Sequence, residues 1–539
     1  MRLSNLKIEN HSRLVNPFEI EVRDHLVLVG ANEAGKSSVL RCLDLLLGCT
    51  ISQLYSRLSS KDFKDPGAQL SIEAVFVDLD SDEKAAFPNA SHLDPDGGPE
   101  TLRIRLVAEI DDQDMAIKRN APDSGTDRSL NKDQFKAIGW KYLGSKARRR
   151  DIEQGRRSAL EEVLENIDLG EELEGFKTIE ETVSTLLAES IALGEMRETL
   201  SDHLSQALPS PVDKDDLTFV PGETVDDNAL SNIRLKISKN GASSVISDQS
   251  DGTRALFAIS IYNMASSGAN VVAIDEPETH LHPSSQRNMA RLLKGGGNQK
   301  VIATHSEDIV SEFDPQSIVV IQSGGVPIQP PVGFLTDDEK RYVRWWVRSR
   351  LEALTSRAII AVEGISDRIV LEKIAELKGV DLCRLGVSVI EAGGVEEMGP
   401  VITLFGSQGF DIPLYLLIDL DGKSEDQIAD KLRIPRGKLA ENRVWISKKD
   451  LEEECAQALG ALNWWSAIKA SGYFSNNVLA NCVGGEEVAG PSIANLSTFC
   501  RKSKRKVYVA LVASNLMTLD LAKKVSSVNK LLDRLESEF

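Results

Sequence analysis

Apolar and polar positions along the first thirty residues alternate or run together in the manner of short strands: LSNLKIEN, then FEIEV, then the continuous apolar HLVLVG. From Lys36 the spacing changes to that of a helix, KSSVLRCLDLLLG, which stops at Gly48. Further strand-like runs, QLSIEAVFVDL and LRIRLVAEI, flank a loop rich in Asp, Pro and Gly near Asn89 to Glu100. Between about Leu143 and Leu208, apolar residues recur three or four apart in a background of Glu, Leu, Arg and Lys. This pattern predicts a helical insertion, either a helical lobe or a dimerisation element. Strands return near Ser231 to Ile237, and a second strand and helix series runs from Thr253 to about Val332. Beyond the Pro-rich connection PIQPPVG lies a basic, aromatic helix, DEKRYVRWWVRSRLEALTS, whose Trp345 and Trp346 are read as domain packing more than base stacking. A fresh alternation then begins: strand AIIAVEG, helix DRIVLEKIAELKG, strand VSVIEAGG, a helix, and strand LYLLIDLDG. Alternating strands and helices predict a doubly wound parallel sheet.

Length and composition narrow the classes. A chain of 539 residues suggests about two to four domains. No apolar run reaches the length of a membrane span, and MRLSNLKIEN lacks the apolar core and cleavage site of a signal peptide, so a cytoplasmic, non-membrane protein is expected. The six cysteines are scattered and form no CxxC pair, which argues against a zinc or redox centre. A net charge of −19 opposes broad attraction to DNA. Any nucleic-acid contact would have to use local patches, and two stand out: KARRR at Lys146 to Arg150, followed by Arg156 and Arg157, and RKSKRK at Arg501 to Lys506.

Two groups of residues carry chemistry. GANEAGKS, Gly30 to Ser37, fits G-x-x-x-x-G-K-S/T between a predicted strand and a predicted helix. Loop amides and the helix N-terminus can wrap phosphates, with Gly30, Asn32, Gly35, Lys36, Ser37 and Ser38 as the nucleotide-binding positions. Lys36 would reach the β and γ phosphates of ATP, and Ser37 would ligate Mg2+. In VVAIDEPETH, Asp275 and Glu276 close an apolar strand, where Asp275 would hold that Mg2+ and Glu276 would orient or deprotonate the attacking water. The second group gathers carboxylates at the ends of later strands: Glu363, then Asp367 opening the next helix, then Asp419 and Asp421 in a D-x-D. Such a hard oxygen set suits Mg2+ or Mn2+ acting on a phosphodiester.

These motifs resemble those of the ABC ATPase superfamily, in the branch that contains RecF, Rad50 and the OLD-family nucleases. IDEPETHLHP looks like that branch's Walker B and D-loop, and VIATHS like its switch segment, which implies His305 as γ-phosphate sensor. QSDGTRALFAI resembles the ABC signature, with Asp251 in place of a glycine and Thr253 in place of a glutamine. The resemblance puts Ser250 and Gly252 against ATP bound to another subunit, and so implies a homodimer or higher homo-oligomer. From Ser356 onward, E-G-x-S-D and D-x-D-G resemble a Toprim domain. In OLD-family enzymes a later acidic cluster and a lysine complete that site, which maps onto Asp450, Glu452 or Glu454, and Lys506, while Glu391 is given a structural or supporting role.

The fold class expected is α/β: an ABC-type ATPase head with a helical insertion, followed by a Toprim domain with a Rossmann-like parallel sheet. The expected boundaries are residues 1–142 and 216–335 for the two parts of the head, 143–215 for the insertion, 336–355 for a connecting helix and 356–539 for the Toprim domain. The resemblance, which extends to Gabija-like and retron-associated relatives, implies ATP-regulated, metal-dependent cleavage of DNA in defence against phage, with a helicase or another defence component as partner. Two alternatives remain. One is an ATP-gated clamp or sensor without its own cleavage. The other is a topoisomerase-like or primase-like Toprim enzyme, for which only Tyr473 and Tyr508 lie late in the chain and no cysteine cluster is visible.

Overall fold

The computed structural model describes residues 1–88, 90–92, 100–111, 114–125, 128–144, 185–207, 211–220, 234–239, 242–245, 249–265, 268–337, 340, 351–394, 397–420, 422–483 and 490–539. The basic run at Lys146 to Arg150, Arg156, Arg157, most of the expected insertion, Trp345, Trp346 and Asp421 lie outside them. The chain divides into two compact units, one built on Met1–Gln329 and the other from Pro330 onward.

Two sheets frame the first unit. One is antiparallel, in the order Phe18–Glu21, Arg2–Glu9, Leu70–Val77, Thr101–Asp111, with Ser91–His92 and Asp114–Asn120 both paired to the last. Its alternating pattern puts one face in the core, as in Leu70–Val77, where every second side chain is buried. The other runs Val326–Ile328, Ile318–Gln322, Leu26–Gly30, Gln299–Ala303, Val271–Asp275, Trp140–Leu143, and is parallel apart from its terminal hairpin. Its three central strands are buried at every position, which is why Leu26 to Val29 and Val271 to Ile274 read as unbroken apolar runs, while Gln299–Ala303 buries Gln299 and Lys300 along with its apolar residues.

Helix Lys36–Leu47 shares one core with both sheets, burying Val39, Leu40, Leu43, Leu46 and Leu47. Each such side chain contributes about 1.5–3 kcal/mol. Its C-terminus is held from the antiparallel sheet: the Arg119 guanidinium donates to the carbonyls of Leu45, Leu46 and Cys49 at 3.1, 3.2 and 2.6 Å, satisfying acceptors that a helix end leaves open. A smaller core joins helix Ile191–Ala207 to the three-stranded sheet Leu217–Val220, Arg234–Lys239, Ala242–Val245 through Leu200, Leu204, Leu217, Ile237 and Phe257.

The second unit is a four-stranded parallel sheet in the order Val387–Glu391, Ala358–Val362, Leu414–Asp419, Val444–Ser447. Helices Ile365–Lys378, Met398–Phe405 and Glu425–Leu432 connect its strands. The chain after Ser447 is helical among the described residues, from Leu451–Leu459 to Ser526–Glu538, and packs on the same core. The last helix is tied to the sheet by Glu538, which accepts from the Tyr415 hydroxyl and pairs with Arg443. Among the described residues no helix is long and apolar enough to cross a membrane.

Candidate functional site

In the first unit, the C-terminal ends of three neighbouring parallel strands bring the nucleotide motifs together. Strand Leu26–Gly30 feeds the phosphate loop, strand Gln299–Ala303 beside it ends at His305, and strand Val271–Asp275 beyond that ends at Asp275 and Glu276. Gly35, at the N-cap of helix Lys36–Leu47, has φ +116°, and a Cβ there would lie 2.9 Å from Leu14 Cδ2, so glycine is required on both counts. Asn32 is exposed at the loop tip, Ser37 is exposed, and Ser38 is half-buried. The Lys36 ammonium is buried and donates to the Gly30 and Ala31 carbonyls, each at 2.9 Å. Burial lowers its pKa against the pull of Glu276, Asp275 and Glu278. Ser37 Oγ donates to Asp275 Oδ1 at 3.2 Å, so the hydroxyl and carboxylate expected to share a cation already meet.

Glu276 takes φ +48°, its amide donating to the Ala303 carbonyl at 2.8 Å. Glu278, two residues on, was not singled out from the sequence. Its carboxylate accepts from Thr304 Oγ1 at 2.8 Å and from the His305 amide at 2.6 Å, and so fixes the backbone of the switch histidine. Burial raises its pKa in spite of those bonds. The His305 side chain is exposed, yet desolvation and Lys36 lower its pKa, leaving a neutral imidazole at pH 7. The only sequence signal for Glu278 was a third acidic residue in D-E-P-E, which pattern alone does not separate from a solvated turn. Ser250 bonds Thr253 at the start of helix Asp251–Ala265, and Gly252 lies so close to the turn after Asp275 that a Cβ would come 2.7 Å from the His280 carbonyl oxygen.

In the second unit the carboxylates converge at the C-terminal edge of the sheet. Glu363 follows strand Ala358–Val362 and accepts from the Asp419 amide at 2.8 Å, bridging two strand ends. Asp367 accepts from the Gly364 amide at 2.9 Å, closing the first turn of its own helix. Asp419 Oδ1 accepts from the Leu451 amide at 3.0 Å, which brings the N-terminus of helix Leu451–Leu459 to the strand end and Glu452 with it. Lys506, reaching in from helix Ser503–Leu516, stands 3.2 Å from Glu452 Oε1. Asp367, Asp419 and Glu452 are all buried, and neither oxygen of Glu452 has a well-directed hydrogen bond.

Crowding of like charge in a dry place follows. Burial, then Glu452, pushes the Asp367 carboxyl up to about 6. Burial, then Asp367, Glu363 and Glu452, pushes Asp419 up to about 9. Although burial alone would lower it, Glu452, Asp367 and Asp419 hold the Lys506 ammonium above its ordinary range.

The neighbouring acids are committed elsewhere. Asp450 accepts from the Glu453 amide at 2.7 Å as helix cap and pairs with Arg501, while Glu454 accepts from Ser527 Oγ at 2.9 Å. Glu391 pairs with Arg368 at 3.1 Å. Among the described residues no three Asp, Glu, His or Cys side chains already stand as a metal cage, because backbone amides and Lys506 hold the carboxylates.

The family model described as "AAA domain, putative AbiEii toxin, Type IV TA system" matches residues 26–311, more than half of the chain. That described as "Overcoming lysogenization defect protein-like, TOPRIM domain" matches residues 354–421. The chain is similar to an OLD nuclease of Thermus scotoductus, 22% identical over 496 residues, which span 85% of this chain and 89% of the relative. It is similar as well to the endonuclease GajA of Bacillus cereus, 22% identical over 444 residues, or 75% of this chain and 73% of the relative. Among solved structures, the C-terminal region of the Burkholderia pseudomallei OLD protein aligns with a TM-score of 0.28 at 22% identity, covering 34% of this chain and 98% of that one.

Proposed function

Because the chain belongs to the AAA-domain family described as putative AbiEii toxin of a type IV TA system, and carries an OLD-like TOPRIM domain, we propose that it is an ATP-regulated, divalent-metal-dependent DNA endonuclease. The observation that carries this reading is the group formed by half-buried Glu363 and buried Asp367, Asp419 and Glu452, with Lys506 as its cation. The group fits a divalent ion on two counts. Its donors are hard carboxylate oxygens, and the two on Glu452 are buried with no well-directed hydrogen bond, the Lys506 ammonium standing 3.2 Å from one of them. Mg2+ or Mn2+ held there by Glu363, Asp367, Asp419, Glu452 and Asp421 would polarise the phosphodiester and lower the pKa of the attacking water. Lys506 holds Glu452 in place and offers its charge to the phosphate oxygens. Asp450 is left out of this set, since its carboxylate caps a helix and pairs with Arg501.

In the head, loop amides and Lys36 receive the ATP phosphates, and Ser37 with Asp275 holds Mg2+. Glu276 positions water, and His305, fixed by Glu278, senses the γ-phosphate as a neutral imidazole. Ser250 and Gly252 serve the ATP of a second copy, so the working form is a homodimer or larger. A role in defence against phage, beside a helicase or another defence component, belongs to the same proposal. Incubating purified protein with supercoiled plasmid and Mg2+ or Mn2+ tests the reading. Wild type is expected to nick or linearise it, and Asp419→Ala to do neither while still binding ATP. Cleavage by Asp419→Ala would refute the reading, and no product from wild type would leave the ATP-gated clamp.

A further inference from the structure

The helix that delivers Lys506 has a second face. Lys506, Val509, Ala510 and Ala513 turn inward, the last three being buried. Lys504, Tyr508, Leu511 and Asn515, at spacings of one, two and three turns, form an exposed stripe. Beside it stands Tyr473, in the loop after helix Ala461–Ala470, its ring 5.1 Å from that of Tyr508 and tilted by 35°. The two tyrosines are 50% and 45% exposed. They are braced from below, since Phe474 meets the Tyr508 ring edge-on at 6.1 Å and Phe499 at 5.6 Å, and Phe499 is buried. The exposed rings are therefore a fixed platform and not loose side chains.

Next to this platform is the basic run. Arg501 and Lys506 are spent on carboxylates, and the Arg505 guanidinium lies 4.2 Å over the Phe499 ring. Lys502 and Lys504 are exposed and form no ion pair among the described residues. In a chain of net charge −19, two uncommitted cations beside paired aromatic rings, Lys504 and Tyr508 being on the helix that carries Lys506 to the acidic cluster, make a local match for a polyanion with exposed π faces. Duplex DNA offers phosphates, but its base faces are covered by stacking. An unpaired strand offers both.

Resting on the nuclease reading above, we propose that this face binds the substrate strand as locally unpaired DNA, with Lys502 and Lys504 on phosphates and a base stacked on the Tyr473 and Tyr508 pair. Unpairing lets the strand bend into the acidic edge, so the substrate is DNA that opens readily, such as a negatively supercoiled plasmid, in preference to relaxed duplex.

Fluorescence anisotropy of the full chain in EDTA, with a labelled oligo(dT) and a duplex of equal length, tests this. Tyr508→Ala and Tyr473→Ala are expected to weaken oligo(dT) binding about tenfold or more while changing duplex binding about twofold or less. Tyr508→Phe, which keeps the ring, is expected to bind as wild type. Lys502→Ala with Lys504→Ala should weaken both ligands and lower the salt slope by about one per lysine removed. A cooperative melting transition like that of wild type, with duplex binding retained in the tyrosine variants, reports that the second unit of each variant is folded. Unchanged oligo(dT) affinity in folded Tyr508→Ala overturns the proposal, and would leave the face to a protein partner. A covalent DNA adduct lost in Tyr508→Phe overturns it in favour of a reacting hydroxyl. If wild type fails to nick plasmid yet Tyr508→Ala still loses oligo(dT), the nuclease reading falls and the surface stands. If wild type nicks and the variant binds normally, the reverse holds.

Discussion

The buried carboxylates predict that the metal-free second unit is destabilised by the residues that would bind its metal. Asp419 is pushed from 3.8 to about 9 by burial and by Asp367, Glu363 and Glu452. A carboxyl raised in the folded state keeps its proton there while the unfolded chain releases it. Its contribution to stability is therefore full below about pH 4 and is lost progressively as pH rises toward 9. The slope is about 1.4 kcal/mol per pH unit, so between pH 6 and pH 8 Asp419 alone removes about 2–3 kcal/mol. For a unit of this size that corresponds to roughly 5–10 °C in Tm. Asp419→Asn cannot ionise, and its amide oxygen still accepts from the Leu451 amide. In EDTA, the melting temperature of wild type should fall steeply from pH 6 to pH 8 and that of Asp419→Asn much less. Mn2+ should restore wild type at pH 8 and leave the variant nearly unmoved. Parallel pH curves for the two proteins, read by calorimetry, would refute the charge-crowding argument.

Other variants separate the remaining roles. Lys506→Ala leaves buried Glu452 without its cation, and in EDTA should cost about 1–3 kcal/mol in chemical denaturation, allowing for the partial exposure of Lys506. Glu278→Ala frees the His305 backbone and should slow ATP hydrolysis about 10- to 100-fold with ATP affinity little changed, as steady-state kinetics and a binding titration would report. Arg119→Met removes donors from three carbonyls at the end of the phosphate-loop helix and should lower the stability of the head by about 2–4 kcal/mol, measured by urea unfolding.

The parts legible in the sequence are those whose causes are local or whose burial is two-sided. Gly35 needs its left-handed conformation within the phosphate loop itself, and strand Ala358–Val362 and the run Val271 to Ile274 are apolar because both faces are covered. Strand Trp140–Leu143 escaped notice, since four residues at a sheet edge carry little periodicity and its register is set by a distant partner, Val271–Ile274. The same limit applies to the late acids. Asp450, Glu452 and Glu454 look alike in KKDLEEE, and what separates them is helix phase, fixed when Asp419 receives the Leu451 amide. Glu452 then faces Lys506, Asp450 faces Arg501, and Glu454 faces Ser527. The basic run RKSKRK likewise splits by face: Arg501 and Lys506 turn to carboxylates, and Lys502 and Lys504 to solvent.

On the proposed function, one chain carries two separable sites, an ATP site that controls and a carboxylate site that cuts. The most direct test measures plasmid cleavage and ATP hydrolysis together in wild type, Lys36→Ala and Asp419→Ala. Asp419→Ala is expected to hydrolyse ATP and leave plasmid intact, and Lys36→Ala to lose hydrolysis and any response of cleavage to ATP. Plasmid cut by Asp419→Ala, or a nucleotide response that survives in Lys36→Ala, would contradict the proposed function.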